Sequence, residues 1–198
     1  KGAPVPTPTT PPDPRPLTGE PLSLDLLNTR WVHDGGRADL LAGTGGLTDV
    51  EGLAVWLGAH GLDGRFAADR RTLERLLRAR DALAGLVDLP GKPGGAPDAV
   101  ARVDAVLAHG RVRATLTPEG PGEETEFADP SWGPAWLAAR DYLELLTTAP
   151  DRIRGCAHEA CVLHFFDTSR NGTRRWCSMA VCGNRAKASR HYARSRDS

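Results

Sequence analysis

Two Cys-x4-Cys pairs, Cys156/Cys161 and Cys177/Cys182, hold all four cysteines of this 198-residue chain and stand fifteen residues apart near its C-terminus. Each pair can supply two thiolates from one tight turn. A short intervening segment can then fold back and bring the pairs together, giving the ligand set of a tetrahedral zinc site. Two disulfides, or four unrelated buried thiols, are the alternatives. The symmetric spacing, the lack of other cysteines and the lack of a secretion signal favour zinc. Four thiolates leave no open position for water, so the expected Zn2+ is structural rather than catalytic. A segment of about 45 residues with few apolar side chains would draw most of its folding free energy from the metal, on the order of 10–16 kcal/mol in small fingers.

The residues between and after the cysteines suggest how the segment folds. Val162 to Phe166 reads as a strand, and Asp167 to Thr173 as a turn in which Asn171-Gly172 supplies positive-φ positions. Arg174 to Cys177 returns, and a helix starting near Ser178 or Met179 carries Cys182 and a basic tail. At about 100° per residue, Lys187, Arg190 and Arg194 share a narrow arc of that helix. Arg185 points the other way, toward the body of the finger, with Asp167 as its expected partner. Asn184 and Arg185 are therefore expected to support the finger. The stripe, with Arg170, Arg174 and Arg175 of the hairpin, is expected to meet phosphates.

Charge supports that division. Residues 151–198 carry ten Lys/Arg against four Asp/Glu, and residues 1–150 carry fifteen against twenty-one, so a net charge of zero conceals +6 and −6. A basic module tethered to an acidic one is the asymmetry expected when only one part meets a polyanion.

The run Cys182-Gly183-Asn184-Arg185 resembles the signature of the CGNR zinc-finger family. The likeness extends over Phe166-Asp167-Thr168-Ser169-Arg170-Asn171, Arg174-Arg175-Trp176-Cys177-Ser178-Met179 and Lys187. Members of that family usually carry an N-terminal ABATE domain, described as a stress-induced transcription regulator. Leu24-Asp25-Leu26-Leu27-Asn28-Thr29 looks like its opening. The resemblance implies a DNA-binding regulator.

The rest of the chain predicts an α+β protein, with a mostly helical first domain, a small sheet or hairpin, and a treble-clef or zinc-ribbon-like finger ending in a basic helix. Residues 1–21 carry eight of the sixteen prolines and predict an extended or disordered lead. Residues 22–150 form the first domain and 151–198 the finger. Leu22–Leu27 reads as a short strand. Thr48 is expected to cap a helix that buries Leu53, Trp56 and Leu57. Residues 66–88 and 98–109 are amphipathic helices, the first with intrahelical ion pairs. Residues 111–117 open a hairpin that reaches Phe127, and a helix then runs to Thr148.

No Ser, Cys or metal-type cluster accompanies His33, His60 or His109, so no catalytic residues are expected. The glycines of 35–46 match neither nucleotide-binding pattern. Polar residues Asp25, Asn28 and Thr29, with Trp31 and Arg80, are candidates for a small-molecule effector pocket. The competing reading has them cap neighbouring backbone. No segment is apolar enough to span a membrane, and cytoplasm is the expected location. The expected partners are DNA, an unidentified effector and a second copy of the chain in a homodimer. The alternative is a zinc-stabilised module that binds protein or RNA without sequence-specific DNA contacts.

Overall fold

Leu22–Leu27 forms a six-residue helix, α1, not the strand its apolar run suggested. A short run buried on every side carries no period that separates helix from strand, and here Ser23 to Leu27 are all buried. Helical geometry lets Ser23 donate from both its N–H and its hydroxyl to the Asp141 carboxylate. The structure is a computed structural model that describes residues 11–89 and 95–188.

A tight hairpin follows, β1 (Arg30–His33) against β2 (Gly36–Asp39), turning through Asp34-Gly35 at φ +48° and +76°. That is the Asp-Gly turn whose twist matches paired strands. α2 (Asp49–Ala59) starts as expected at Thr48. Its hydroxyl accepts from the Glu51 N–H, and the Glu51 carboxylate accepts from the Thr48 N–H. Gly52 lets α2 lie directly on the chain ahead of it, since a Cβ there would stand 1.9 Å from the Leu40 carbonyl oxygen.

Asp69 caps α3 (Arg70–Ala84) through the Thr72 N–H. Its arginines do not pair within the helix as expected. Arg70 reaches Asp49, Arg71 reaches Asp129, and the Arg75 guanidinium lies 4.8 Å over the Trp132 ring. These three interactions tie α3 to its neighbours. α4 (Pro97–Leu107) opens on proline, which lacks the N–H that a first turn leaves unsatisfied. The hairpin of β3 (Gly110–Thr117) and β4 (Gly120–Phe127) projects with mostly exposed side chains, and α5 (Gly133–Thr148) closes the helical part. α3 and α5 pack together and collect α1 and α4. Leu24, Leu26, Trp56, Leu73, Leu76 and Tyr142 are among the buried core.

β5 (Ile153–Gly155) and β6 (His164–Phe166) form the third antiparallel pair. The finger's hairpin is therefore not the expected one. β6 pairs with residues ahead of the first cysteines, and 174–177 form no strand. Of the two turn residues only Gly172 has positive φ, at +62°. Among the described residues there is no larger sheet, and the α+β class holds with three hairpins.

The described part of the proline-rich lead packs on the first domain at Arg15. Residues 11–21 form no regular element, yet Arg15 is buried. Its guanidinium pairs with Asp13 and with Asp25.

Candidate metal centre and nucleic-acid interface

The β5–β6 hairpin ends in a knuckle that presents the first cysteine pair. Cys156 follows β5 directly and donates its N–H to the Leu163 carbonyl at 2.9 Å, and Cys161 N–H donates to the His158 carbonyl at 2.8 Å. The second pair comes from the other side. Cys177 ends the return segment, and Cys182 lies in a wide helical turn, Met179–Gly183, in which Gly183 N–H donates to the Ser178 carbonyl at 3.0 Å. The helix continues through 184–188. An Ala157 N–H bond to the Arg175 carbonyl, 2.8 Å, fastens the two halves.

The four sulfurs lie within 4.8 Å of one another. Cys161 and Cys177 are 3.8 Å apart and Cys177 and Cys182 3.6 Å. A tetrahedron of thiolates at about 2.3 Å from zinc has edges of about 3.8 Å, so the spacing fits the ion. It does not fit disulfides, whose sulfurs are about 2.05 Å apart, and all four cysteines are free. Electrostatics agrees. Hydrogen bonding from Cys177 holds the Cys161 thiol down at about 5. The same contact, with burial and the Cys161 charge, pushes Cys177 well up, and burial pushes Cys182 up to about 12. Four thiolates this close need a cation to ionise together. Cys177 N–H already donates to Cys156 Sγ at 3.4 Å. The zinc is structural, since four sulfurs complete its shell.

A family model described as "Putative stress-induced transcription regulator", ABATE, matches residues 20–149, about two-thirds of the chain. The chain belongs to the ABATE family. A second model, the CGNR zinc finger, matches residues 152–195. No curated protein matches the chain. Both descriptions are of regulator and zinc-finger types rather than enzymes.

The supporting residues of the CGNR finger differ from expectation. Asp167 is buried, but its carboxylate accepts from the Ser169 and Arg174 backbone N–H groups at 2.9 and 3.0 Å, not from Arg185. The Ser169 hydrogen bond, outweighing burial, and the nearby Arg152 charge hold that carboxyl below its ordinary value. Arg185 is exposed, and among the described residues no carboxylate lies within 4 Å of it. The inward arginine is Arg174. Its guanidinium lies 4.1 Å over the Phe165 ring, donates to the Trp176 and Cys177 carbonyls at 3.0 and 2.6 Å, and pairs with Glu20 at 3.3 Å. Arg174, expected among the DNA contacts, is thus engaged by the fold. Asn184 Nδ2 donates to the Ala180 carbonyl at 3.2 Å. Arg170, Arg175 and Lys187 are exposed. Arg190 and Arg194 lie outside the described residues.

The five residues expected to line an effector pocket are split. Asp25, Asn28 and Thr29 are fully buried and satisfied internally. Asp25 accepts from Arg15 and meets His60 Nε2 at 2.9 Å. Burial would raise its carboxyl, but the His60 hydrogen bond and Arg15 charge prevail and hold it below the usual range. Thr29 Oγ1 accepts from Arg80, whose guanidinium also forks onto Asp39 at 2.7 and 2.9 Å. Asn28 reaches the finger and bonds the backbone of His164. Trp31 and Arg80 do border a cavity of about 580 Å³, and the finger supplies part of its wall through Val162 and His164. Sequence reasoning gave Arg37 and Glu20 no role and did not place His164 at this junction. Only the fold, which packs β6 against α1, brings them to the junction of finger and domain.

Proposed function

We propose that this ABATE-CGNR protein is a zinc-dependent, DNA-binding transcriptional regulator. Its finger contacts duplex DNA, and its first domain senses a small molecule or mediates association of two copies. The supporting observation is that Arg170, Arg175, Arg185 and Lys187 stay exposed on the finger, while its internal polar groups are consumed by the zinc-knuckle fold. Exposed cations of this kind neutralise phosphates and release counterions. The basic run from Arg185 to Arg196 adds Arg190, Arg194 and Arg196 by sequence. The −6 of residues 1–150 keeps the first domain off the polyanion.

Selection of bound duplexes from a random pool, with and without chelator, tests this reading. Enrichment of a common sequence only with zinc is the expected result. Retention without enrichment, or equal retention of RNA, favours an interaction module instead. Among the described residues no helix is long and apolar enough to cross a membrane.

A further inference from the structure

The cavity of about 580 Å³ lies where three parts of the molecule meet. The β1–β2 hairpin contributes Trp31 and Arg37, α3 contributes Arg80, and the finger contributes Val162 and His164. Its volume lies within the ~300–1,000 Å³ of small-molecule sites, which favour junctions between domains and combine apolar walls with a few placed polar groups. Leu27, Ala38, Ala84 and Val87 complete an apolar lining beside Trp31 and Val162.

The charges around this space balance in number, three guanidiniums against three carboxylates, but not in place. Arg30 and Arg80 share Asp39, Arg30 also meets Asp81, and His164 Nε2 meets Asp88 at 3.1 Å. Arg37 is exposed, and among the described residues no carboxylate lies within 4 Å of it. Two further groups in the walls have unmet hydrogen-bonding capacity. Among the described residues Arg80 Nε and His164 Nδ1 are buried without a partner, a state that is unfavourable for a buried polar group. Arg37, the guanidinium of this cleft that meets no carboxylate among the described residues, beside the apolar wall of Trp31 and Val162, matches a molecule with one negative charge and a hydrophobic body.

We infer that this cleft binds an amphipathic organic carboxylate, its charged end on Arg37 beside Arg80 and its apolar body between Trp31 and Val162. The inference rests on reading the first domain as a sensor and names what it senses. Because Val162 and His164 belong to the finger, a bound carboxylate bridges finger and domain and favours the docked arrangement.

Titration of the full zinc-loaded chain with benzoate, indole-3-acetate and octanoate, each against its neutral amide, tests this by calorimetry and backbone-amide shifts. At least one carboxylate should bind saturably and at least tenfold more tightly than its amide, with shifts centred on Trp31, Ala38, Val162 and His164. Arg37→Gln, an exposed position, should weaken that carboxylate at least tenfold and leave its amide unchanged. Val162→Trp, which fills the cleft, should abolish both. The inference is overturned if no carboxylate outbinds its amide, if inorganic phosphate alone binds, or if binding survives both substitutions. Duplex retention measured on the same samples keeps the readings apart. Absent carboxylate binding with DNA retained overturns only this inference, and the reverse overturns only the DNA-binding proposal.

Discussion

Asn28 and His164, 136 residues apart, are joined by two hydrogen bonds of 2.8 Å, the Asn28 amide donating to the His164 carbonyl and its oxygen accepting from the His164 N–H. A buried side chain thus takes the place of a neighbouring strand along β6. Glu20 continues it by accepting from the Phe166 N–H at 2.9 Å. The outer edge of β6 is closed, and the finger is fixed to the ABATE domain rather than hung from it. Asn28→Ala leaves two part-buried backbone groups unpaired and should cost about 2–4 kcal/mol. Amide exchange at His164 and Phe166 should accelerate well beyond that of α3. Unchanged exchange there would show that the docking does not depend on Asn28.

Arg174 and Arg185 should separate cleanly when each is changed to alanine. Arg174→Ala removes the guanidinium stacked on Phe165 and bonded to two carbonyls, and should destabilise the protein by about 2–4 kcal/mol. Arg185→Ala removes an exposed charge and should change stability by less than about 0.5 kcal/mol. Arg185→Ala should nevertheless weaken duplex binding, with zinc retained. Denaturant midpoints and anisotropy on the same pair decide the matter, and the opposite pattern would restore Arg185 as the finger's internal brace.

Acid should expose the Asp25 node. Its carboxyl titrates below the ordinary value in the folded protein, held down by His60 and Arg15 against the effect of burial. A depressed folded value gives stability that is present above the unfolded value of about 3.9 and lost as pH falls through the lower, folded one. Wild-type stability should therefore decline through the acid range below about pH 4. Asp25→Asn should be less stable at pH 7 and show a shallower acid decline. Parallel acid profiles for the two proteins would rule out an ionised, paired Asp25.

How much of this is legible in the sequence depends on whether a signal is local. The four cysteines, the Thr48 cap and the β3–β4 hairpin declare themselves within a few residues, and the structure places them as read. The Leu22–Leu27 run, buried all round, carries no period, so it suggests a strand where the chain forms a helix. Helical angles cannot sort Arg174 from Arg185, because Arg174 lies off the helix and its partners Phe165 and Glu20 come from elsewhere. Arg15 sits inside a proline-rich stretch whose composition suggests no burial. The cavity requires β6 to pack on the first domain, a long-range relationship that no local pattern encodes.

Zinc removal should act on the finger first. With the sulfurs crowded as they are, Cys161→Ser or a strong chelator should abolish binding of one zinc per chain. Exchange protection should then disappear across 153–183 while α2, α3 and α5 keep theirs. Metal demonstrably absent with the finger still protected would show that packing on Asn28 and Glu20 holds it unaided.

The central claim, a zinc-held finger presenting free cations to DNA, is tested most directly by the salt dependence of duplex binding in three proteins: zinc-loaded wild type, Lys187→Ala and chelated wild type. Expected is a steep linear fall of log K with log salt in the wild type. The slope should shrink by about 0.9 in Lys187→Ala, which neutralises one phosphate fewer, and chelation should leave no measurable binding. A slope near zero, or equal binding with and without zinc, would contradict it.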